Sequence, residues 1–313
     1  MRLTKLRLTK LAVGMTCVAM LFATVAAAST APGSSKQVST LVTASMHITS
    51  LTATTSAELP GAPNDFSWAH YPSLGGSASS HCLTATSCVY GDVKAKKTVV
   101  LFGDSHALMW LPAIVPAVTA HKEKLVVLWA NLCPASSVEF YDPKQDDPAH
   151  CDAWRFTMIG IINKLAPSLV IIAERTDQVA SGPDAFFNNA QWQVGLTKTI
   201  RELKKRTTKV AVIESAVSFG SIVPQCLAAN PSSVQKCSEI APKPSGGLLQ
   251  QAQINAARAT GSLLVRSSWW LCAKKACSPV IGNFIVVIDA GHISFSYAKY
   301  LSGVMGSALK RDL

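Results

Sequence analysis

Charged residues are scarce in this chain. They make up 15% of its 313 residues, and the acidic ones are the scarcer, 18 against 29 Lys and Arg. The basic residues are also scattered. Lys94, Lys96 and Lys97 form the densest early group and Lys204, Lys205 and Arg206 a second; both read as solvated surface beside the end of an element. With no compact basic cluster and no recognition motif, no nucleic-acid partner is expected. Other signatures are missing too. The chain lacks a Gly-x-Ser-x-Gly elbow, which argues against an α/β-hydrolase. It has no Gly-rich phosphate loop and no dinucleotide fingerprint, so no nucleotide cofactor is implied. Neither a Cys-x-x-Cys knuckle nor His-Glu-x-x-His occurs, and the cysteine spacings are irregular, so no metal is expected. No internal repeat is present.

What is there begins with an export signal. Arg2, Lys5, Arg7 and Lys10 precede an uncharged apolar run from Leu11 to Ala28, and Ala26-Ala27-Ala28 offers a small-residue cleavage site before Ser29. Residues 1–28 read as a signal peptide. The alternative is an uncleaved anchor made by residues 11–28, because the run approaches the lower length limit for a membrane span. Ala, Gly and Thr dilute the run and favour cleavage. Either reading puts the protein outside the cytoplasm, whether secreted, periplasmic or held at the cell surface. Losing the leader, with four basic and no acidic residues, takes the formal charge from +11 to +7. Such a basic surface could favour anionic envelope polymers, but it serves ordinary solubility equally well.

Cysteine use agrees with export. Of nine cysteines one, Cys17, lies in the leader. The other eight fall into local couples: Cys82/Cys88, Cys133/Cys151, Cys226/Cys237 and Cys272/Cys277. In an oxidising compartment they read as four disulfides, and the nearest-neighbour pairing is one of on the order of a hundred connectivities. Residues 29–60 are rich in Ser, Thr and Ala without a sustained period and read as a tether. Residues 61–95 read as a disulfide-containing lead, opened by Trp68, Tyr71 and the first cysteine couple. Residues 96–313 have the size of one domain with its own core.

Within that domain apolar runs alternate with amphipathic stretches. Strands are expected at Thr98–Phe102, Leu125–Trp129, Leu169–Ala173, Val210–Glu214, Leu263–Arg266 and Phe284–Ile288. Helices are expected near 106–120, 151–165, 187–206, 247–260 and 294–310, the last with an apolar stripe at Ala298, Leu301, Val304, Met305 and Ala308. Pro116 should bend or shorten the first of these. The alternation predicts an α/β fold with a mostly parallel central sheet covered on both faces.

Two strand ends carry the chemistry. The run Thr98-Val99-Val100-Leu101-Phe102 leads into Gly103-Asp104-Ser105-His106, and the helix pattern starts at Ser105. A serine there sits beside the free N–H groups of a helix start, a suitable place for a nucleophile whose oxyanion needs donors. It also suits a serine that only caps the helix. Near the other end, Ile285-Val286-Val287-Ile288 leads into Asp289-Ala290-Gly291-His292. Asp-x-x-His lets a carboxylate hold an imidazole while that imidazole faces a serine from elsewhere, and the strand ends of a wound sheet gather along one edge. Ser105 is the candidate nucleophile, His292 its base, and Asp289 the group that orients the base. His106 adjoins Ser105, but successive helical residues point about 100° apart, so it reads as a pocket residue and not the base. Asp104 reads as a group bonded within its own turn, or as one that touches substrate.

The segments LFGDSHALMWLPAI and DAGHISFSYAKYL together resemble the SGNH hydrolase superfamily. More narrowly, they are similar to the SGNH domain fused to membrane acyltransferases that O-acylate bacterial surface glycans. The resemblance covers about residues 80–313 and implies a three-layer α/β/α sandwich of flavodoxin-like type. It also implies brackets of cysteines around loops, in keeping with the nearest-neighbour pairing. One part of the pattern is missing, the Gly-x-Asn-Asp block after the third strand. The chain has Trp129-Ala130-Asn131-Leu132-Cys133-Pro134 after the second strand and Ala173-Glu174-Arg175-Thr176-Asp177 after the third. The acyltransferase-linked branch, with Cys-Pro and an arginine at these places, matches better. Oxyanion donors are then the Ser105 N–H, Asn131 and Arg175; Arg175 reads equally as a structural partner of Glu174 or Asp177. The resemblance implies a serine acyl-ester enzyme without cofactor, acting on an acylated glycan or a small ester. If it transfers acyl groups, a separate membrane acyltransferase is the expected partner. The missing block keeps a second expectation open, a non-catalytic glycan-binding or assembly protein of the same fold.

Overall fold

The computed structural model describes residues 31–74, 82–138, 149–176, 187–204, 209–241 and 249–313. The leader read in residues 1–28 lies outside the described residues, as do Asp177, Lys205 and Arg206. The strands are β1 (Val89–Gly91), β2 (Thr98–Gly103), β3 (Lys124–Trp129), β4 (Leu169–Ala173), β5 (Val210–Ile213), β6 (Glu239–Ile240), β7 (Leu263–Val265), β8 (Ala276–Cys277), β9 (Val280–Ile281) and β10 (Phe284–Ile285). Six of them form the central sheet in the order β1-β3-β2-β4-β5-β7. Strands β3, β2, β4, β5 and β7 run parallel, and β1 closes one edge antiparallel to β3. β9 pairs with β10, and β6 with β8, as small antiparallel pairs outside that sheet.

The helices are α1 (Ser35–Ser45), α2 (Ala53–Glu58), α3 (Ser67–His70), α4 (Ser105–Leu108), α5 (Leu111–Ala120), α6 (Ala149–Leu165), α7 (Asn189–Leu203), α8 (Val223–Ala229), α9 (Gln250–Thr260), α10 (Phe295–Tyr300) and α11 (Ser302–Leu309). They cover both faces because the inner strands β2, β3, β4 and β5 are apolar on both. Val99, Leu101, Val127, Leu169 and Ile171 pack toward α1, α5, α8, α10 and α11. Val100, Phe102, Val126, Leu128, Val170 and Ile172 pack toward α6, α7 and α9. The alternation has the two-residue period of a strand, and each such side chain contributes about 1.5–3 kcal/mol on burial. The result is a three-layer α/β/α sandwich with a mostly parallel sheet.

The chain leaves β2 for β3 on one side and then crosses to β4 on the other. That reversal opens a crevice at the carboxyl ends of β2 and β4, the usual ligand position in such sheets. Gly103 lies there. A Cβ at this position would sit 1.8 Å from the Ala173 carbonyl oxygen, so only glycine lets β2 and β4 close together at the edge where Ser105 follows.

Several expectations need correction. The tether read in residues 29–60 contains α1 and α2, and Val38 and Val42 of α1 are fully buried. Apolar Val38, Leu41 and Val42 fall on one helical face; their spacing is masked by Ser and Thr, whose weak intrinsic helix propensity is overridden by packing. The lead read in 61–95 donates β1 to the central sheet, so a boundary at residue 96 cuts through one sheet. The helix expected at 106–120 is broken at Met109-Trp110 into α4 and α5. Pro112 causes the break, since its ring excludes the carbonyl four residues earlier; Pro116 stays inside α5. The strand expected at Phe284–Ile288 shrinks to Phe284–Ile285 and pairs only with β9. The helix expected at 294–310 divides at Leu301.

Candidate active site

The first half of the site is the turn after β2. Asp104 caps α4, its Oδ1 accepting the His106 N–H at 2.8 Å. Its Oδ2 accepts the Arg175 backbone N–H at 2.9 Å, tying the end of β4 to the turn. Asp104 is fully buried, and burial pushes its carboxyl up to about 7, against the pull of the Arg175 and His106 N–H groups. Of the two readings of Asp104, the bond within its own turn is present, together with the link to Arg175. Ser105 begins α4, so its hydroxyl stands at the crevice while the opening N–H groups of the helix lack intrahelical acceptors.

The second half comes from the far end of the chain. Past β10, Val287 and Ile293 bridge each other, and the Ile288 N–H donates to the His292 carbonyl at 2.9 Å, closing a tight loop over residues 289–291. Asp289 Oδ1 accepts the N–H groups of Gly291 and His292, each at 2.8 Å. Its Oδ2 lies 2.7 Å from His292 Nδ1. Burial alone would raise the Asp289 carboxyl, but the hydrogen bond and charge of His292, with the two backbone donors, hold it well below the usual carboxylate range. An ionised carboxylate only accepts, so Nδ1 carries the imidazole proton and Nε2 is left as an acceptor. Nε2 lies 2.8 Å from Ser105 Oγ, which donates to it.

His106 is buried, and its ring centroid is 4.8 Å from that of His292. It therefore stands beside His292 and not between His292 and Ser105. Asn131 follows Ala130, whose N–H donates to the Gly103 carbonyl at 3.3 Å. Asn131 and Arg175 thus flank the serine turn from the strands on either side. Glu174 does not pair with Arg175. Its carboxylate accepts Ser136 N–H at 2.8 Å, Ser136 Oγ–H at 2.6 Å and Trp192 Nε1–H at 2.9 Å, which anchors the loop after β3. Cys133–Cys151 closes that same loop. The other disulfides are Cys82–Cys88, Cys226–Cys237 and Cys272–Cys277. Among the described residues no group of three or more His, Cys, Asp or Glu is arranged to hold a metal ion.

Sequence reasoning missed the residues that support His292. Phe66, fully buried, packs edge-on against the imidazole with centroids 5.2 Å apart. Asp65 fixes it there by accepting the Phe295 N–H on its carbonyl and the Ser296 N–H on Oδ2. The segment after β5 clamps the Asp289 loop: Phe219 N–H donates to the Ala290 carbonyl at 2.6 Å and Val223 N–H to the Asp289 carbonyl at 3.1 Å. Gly220, between them, donates its N–H to Glu239 Oε2 at 2.8 Å. These are contacts between segments remote in sequence, for which periodicity carries no signal.

The sheet order, the crevice and the serine–imidazole–carboxylate chain define an α/β/α protein with hydrolase-like site geometry. The SGNH domain (fused to AT3 domains) matches residues 73–306, and the chain belongs to that family. Among solved structures it is similar to the periplasmic domain of a lipopolysaccharide acetyltransferase from Salmonella ser. Paratyphi A, with 16% identity, 67% of this chain and 82% of that chain covered, and a TM-score of 0.53. A Bacteroides fragilis protein assigned as an acylhydrolase matches more loosely, with 13% identity over 71% of this chain and 90% of that one and a TM-score of 0.36. A search of curated proteins finds no match.

Proposed function

We propose that this protein is an extracytoplasmic serine acyl-ester enzyme, an O-acetylesterase or O-acyltransferase of cell-envelope glycans. The observation that carries the reading is the continuous hydrogen-bonded chain from Ser105 Oγ through His292 to Asp289. Ser105 Oγ attacks the acyl carbonyl carbon while His292 Nε2 takes the hydroxyl proton. The carbonyl electron pair moves onto oxygen, where the Ser105 N–H, Asn131 and Arg175 are the donors we assign. Collapse breaks the ester bond, and the sugar oxygen leaves with the proton from His292, giving an acyl-serine. Water or a second sugar hydroxyl then repeats the steps in reverse. Asp289 keeps the tautomer and offsets the imidazolium charge.

Four features support export and a glycan substrate: the leader in the sequence, four disulfides, the fusion of the family to AT3 domains, and a fold shared with a periplasmic lipopolysaccharide acetyltransferase domain. For transfer, a membrane acyltransferase partner supplies the acyl group. No helix among the described residues is long and apolar enough to cross a membrane. The test is covalent labelling by a fluorophosphonate. Wild-type protein should label, and Ser105→Ala should not. Folded wild type that stays unlabelled would favour a glycan-binding or assembly role without chemistry.

A further inference from the structure

The parallel strands place a second cluster on the same sheet edge as Ser105. Phe102, Ile172, Val212 and Leu264 form one transverse row across β2, β4, β5 and β7. Ser105 follows the end of β2, three residues past that row, and Arg266 and Trp269 follow the end of β7, two and five residues past it. Strands β2 and β7 are three strand spacings apart, about 14 Å along the edge.

Trp269 is 56% exposed, whereas Trp110, Trp129, Trp192 and Trp270 are all buried. Its neighbours force it outward. Ser268 donates its hydroxyl to Glu214 Oε2 at 2.6 Å, Ser267 donates to the Glu214 carbonyl at 2.7 Å, and Trp270 is packed into the core, its indole N–H on Ser35 Oγ at 3.1 Å. The short turn from Ser267 to Trp270 therefore cannot fold the Trp269 ring inward. Arg266 lies over this ring, with its guanidinium carbon 5.1 Å from the centroid. Its Nε is 3.3 Å from Glu214 Oε1, and the Glu214 side chain is completely buried. Among the described residues the two Arg266 Nη groups have no protein partner. A flexible arginine loses about 2 kcal/mol of rotamer freedom when it is fixed. Here Glu214 and the indole fix it in advance, with donors left over for a ligand.

We propose that Trp269 and Arg266 form a subsite for a neutral sugar ring of the glycan, outboard of Ser105. This rests on the ester-enzyme reading for its substrate. The C–H face of a sugar stacks on the open indole face, and its hydroxyl oxygens accept from the Arg266 Nη groups. A neutral sugar is assigned because Glu214 already offsets the Arg266 charge.

The experiment uses Ser105→Ala protein titrated calorimetrically with a panel of neutral and uronic-acid oligosaccharides of four or more sugars. At least one neutral member should bind. Trp269→Ala in that background should weaken it tenfold or more, Trp269→Phe less, and raising salt from 50 to 500 mM should leave the affinity unchanged. In the active protein, Trp269→Ala should leave kcat/KM for a short aryl acetate as in wild type. The subsite is overturned if no saccharide binds, if Trp269→Ala binds as tightly, or if only uronic-acid members bind and salt abolishes it. Failure of the ester-enzyme reading shows separately, as wild-type protein that neither labels nor turns over the aryl acetate.

Discussion

The two halves of the site are built in opposite ways. The Gly103–Ser105 turn grows directly from the central strand of the sheet and is buried throughout. The Asp289–His292 turn belongs to no strand of that sheet, and the Asp289 side chain is 41% exposed. Each turn holds an aspartate that caps its own backbone, yet their acidities move in opposite directions, up for Asp104 and down for Asp289. Desolvation governs the first, and the neighbouring imidazole with two N–H donors governs the second. The same residue type is thus made a structural clasp in one turn and a permanent anion in the other.

The contrast is broken most severely at the imidazole. His292→Ala should lower kcat/KM on an aryl acetate about ten-thousandfold, while His106→Ala should cost about tenfold or less. The reverse order would move the base to His106. Next comes Asp289→Asn, with an expected loss in kcat of about a thousandfold and no change in the folded circular dichroism spectrum. The Gly291 and His292 N–H groups hold the amide oxygen, so the amide nitrogen must face Nδ1. That moves the imidazole proton to Nε2, which then donates to Ser105 and can no longer accept from it.

Asp104→Asn should act on stability. Its amide N–H₂ would confront either the His106 or the Arg175 N–H, costing about 1–3 kcal/mol at pH 4. In the wild type the folded state binds the Asp104 proton more tightly than the unfolded chain does. Stability from this group is therefore full at pH below 4 and lost as pH rises to about 7. Urea unfolding of both proteins from pH 4 to 8 should show the wild-type advantage shrinking and then reversing across that window, and the difference flat above it. The smallest effect is expected at the brace: Glu239→Ala should lower kcat several-fold, roughly three to ten, with KM unchanged, and Glu239→Gln should restore it because an amide oxygen still accepts from Gly220. Equal loss in both variants would show that Gly220 is not the contact that counts.

The same contrast explains what could be read from the sequence. β2 to β4 and Ser105 were legible because buried strands make uninterrupted apolar runs and a Gly-Asp-Ser turn has local chemistry. Asp289 and His292 were legible as a motif but misplaced, because Ile285–Ile288 reads as a strand while pairing too little to be one. The α1 helix was lost since Ser, Thr and Ala outnumber the three apolar residues that bury it. Phe66 and Phe219 were invisible because their roles come from contacts with residues some 70 to 230 positions away.

The disulfides join cysteines 6, 18, 11 and 5 residues apart, each to the next along the chain. In a polypeptide threaded N-terminus first into an oxidising compartment, a cysteine meets its own partner before any other appears. Order of emergence alone then selects the native set, and the covalent framework can be completed piecewise, with no shuffling step, before the sheet that it surrounds has assembled.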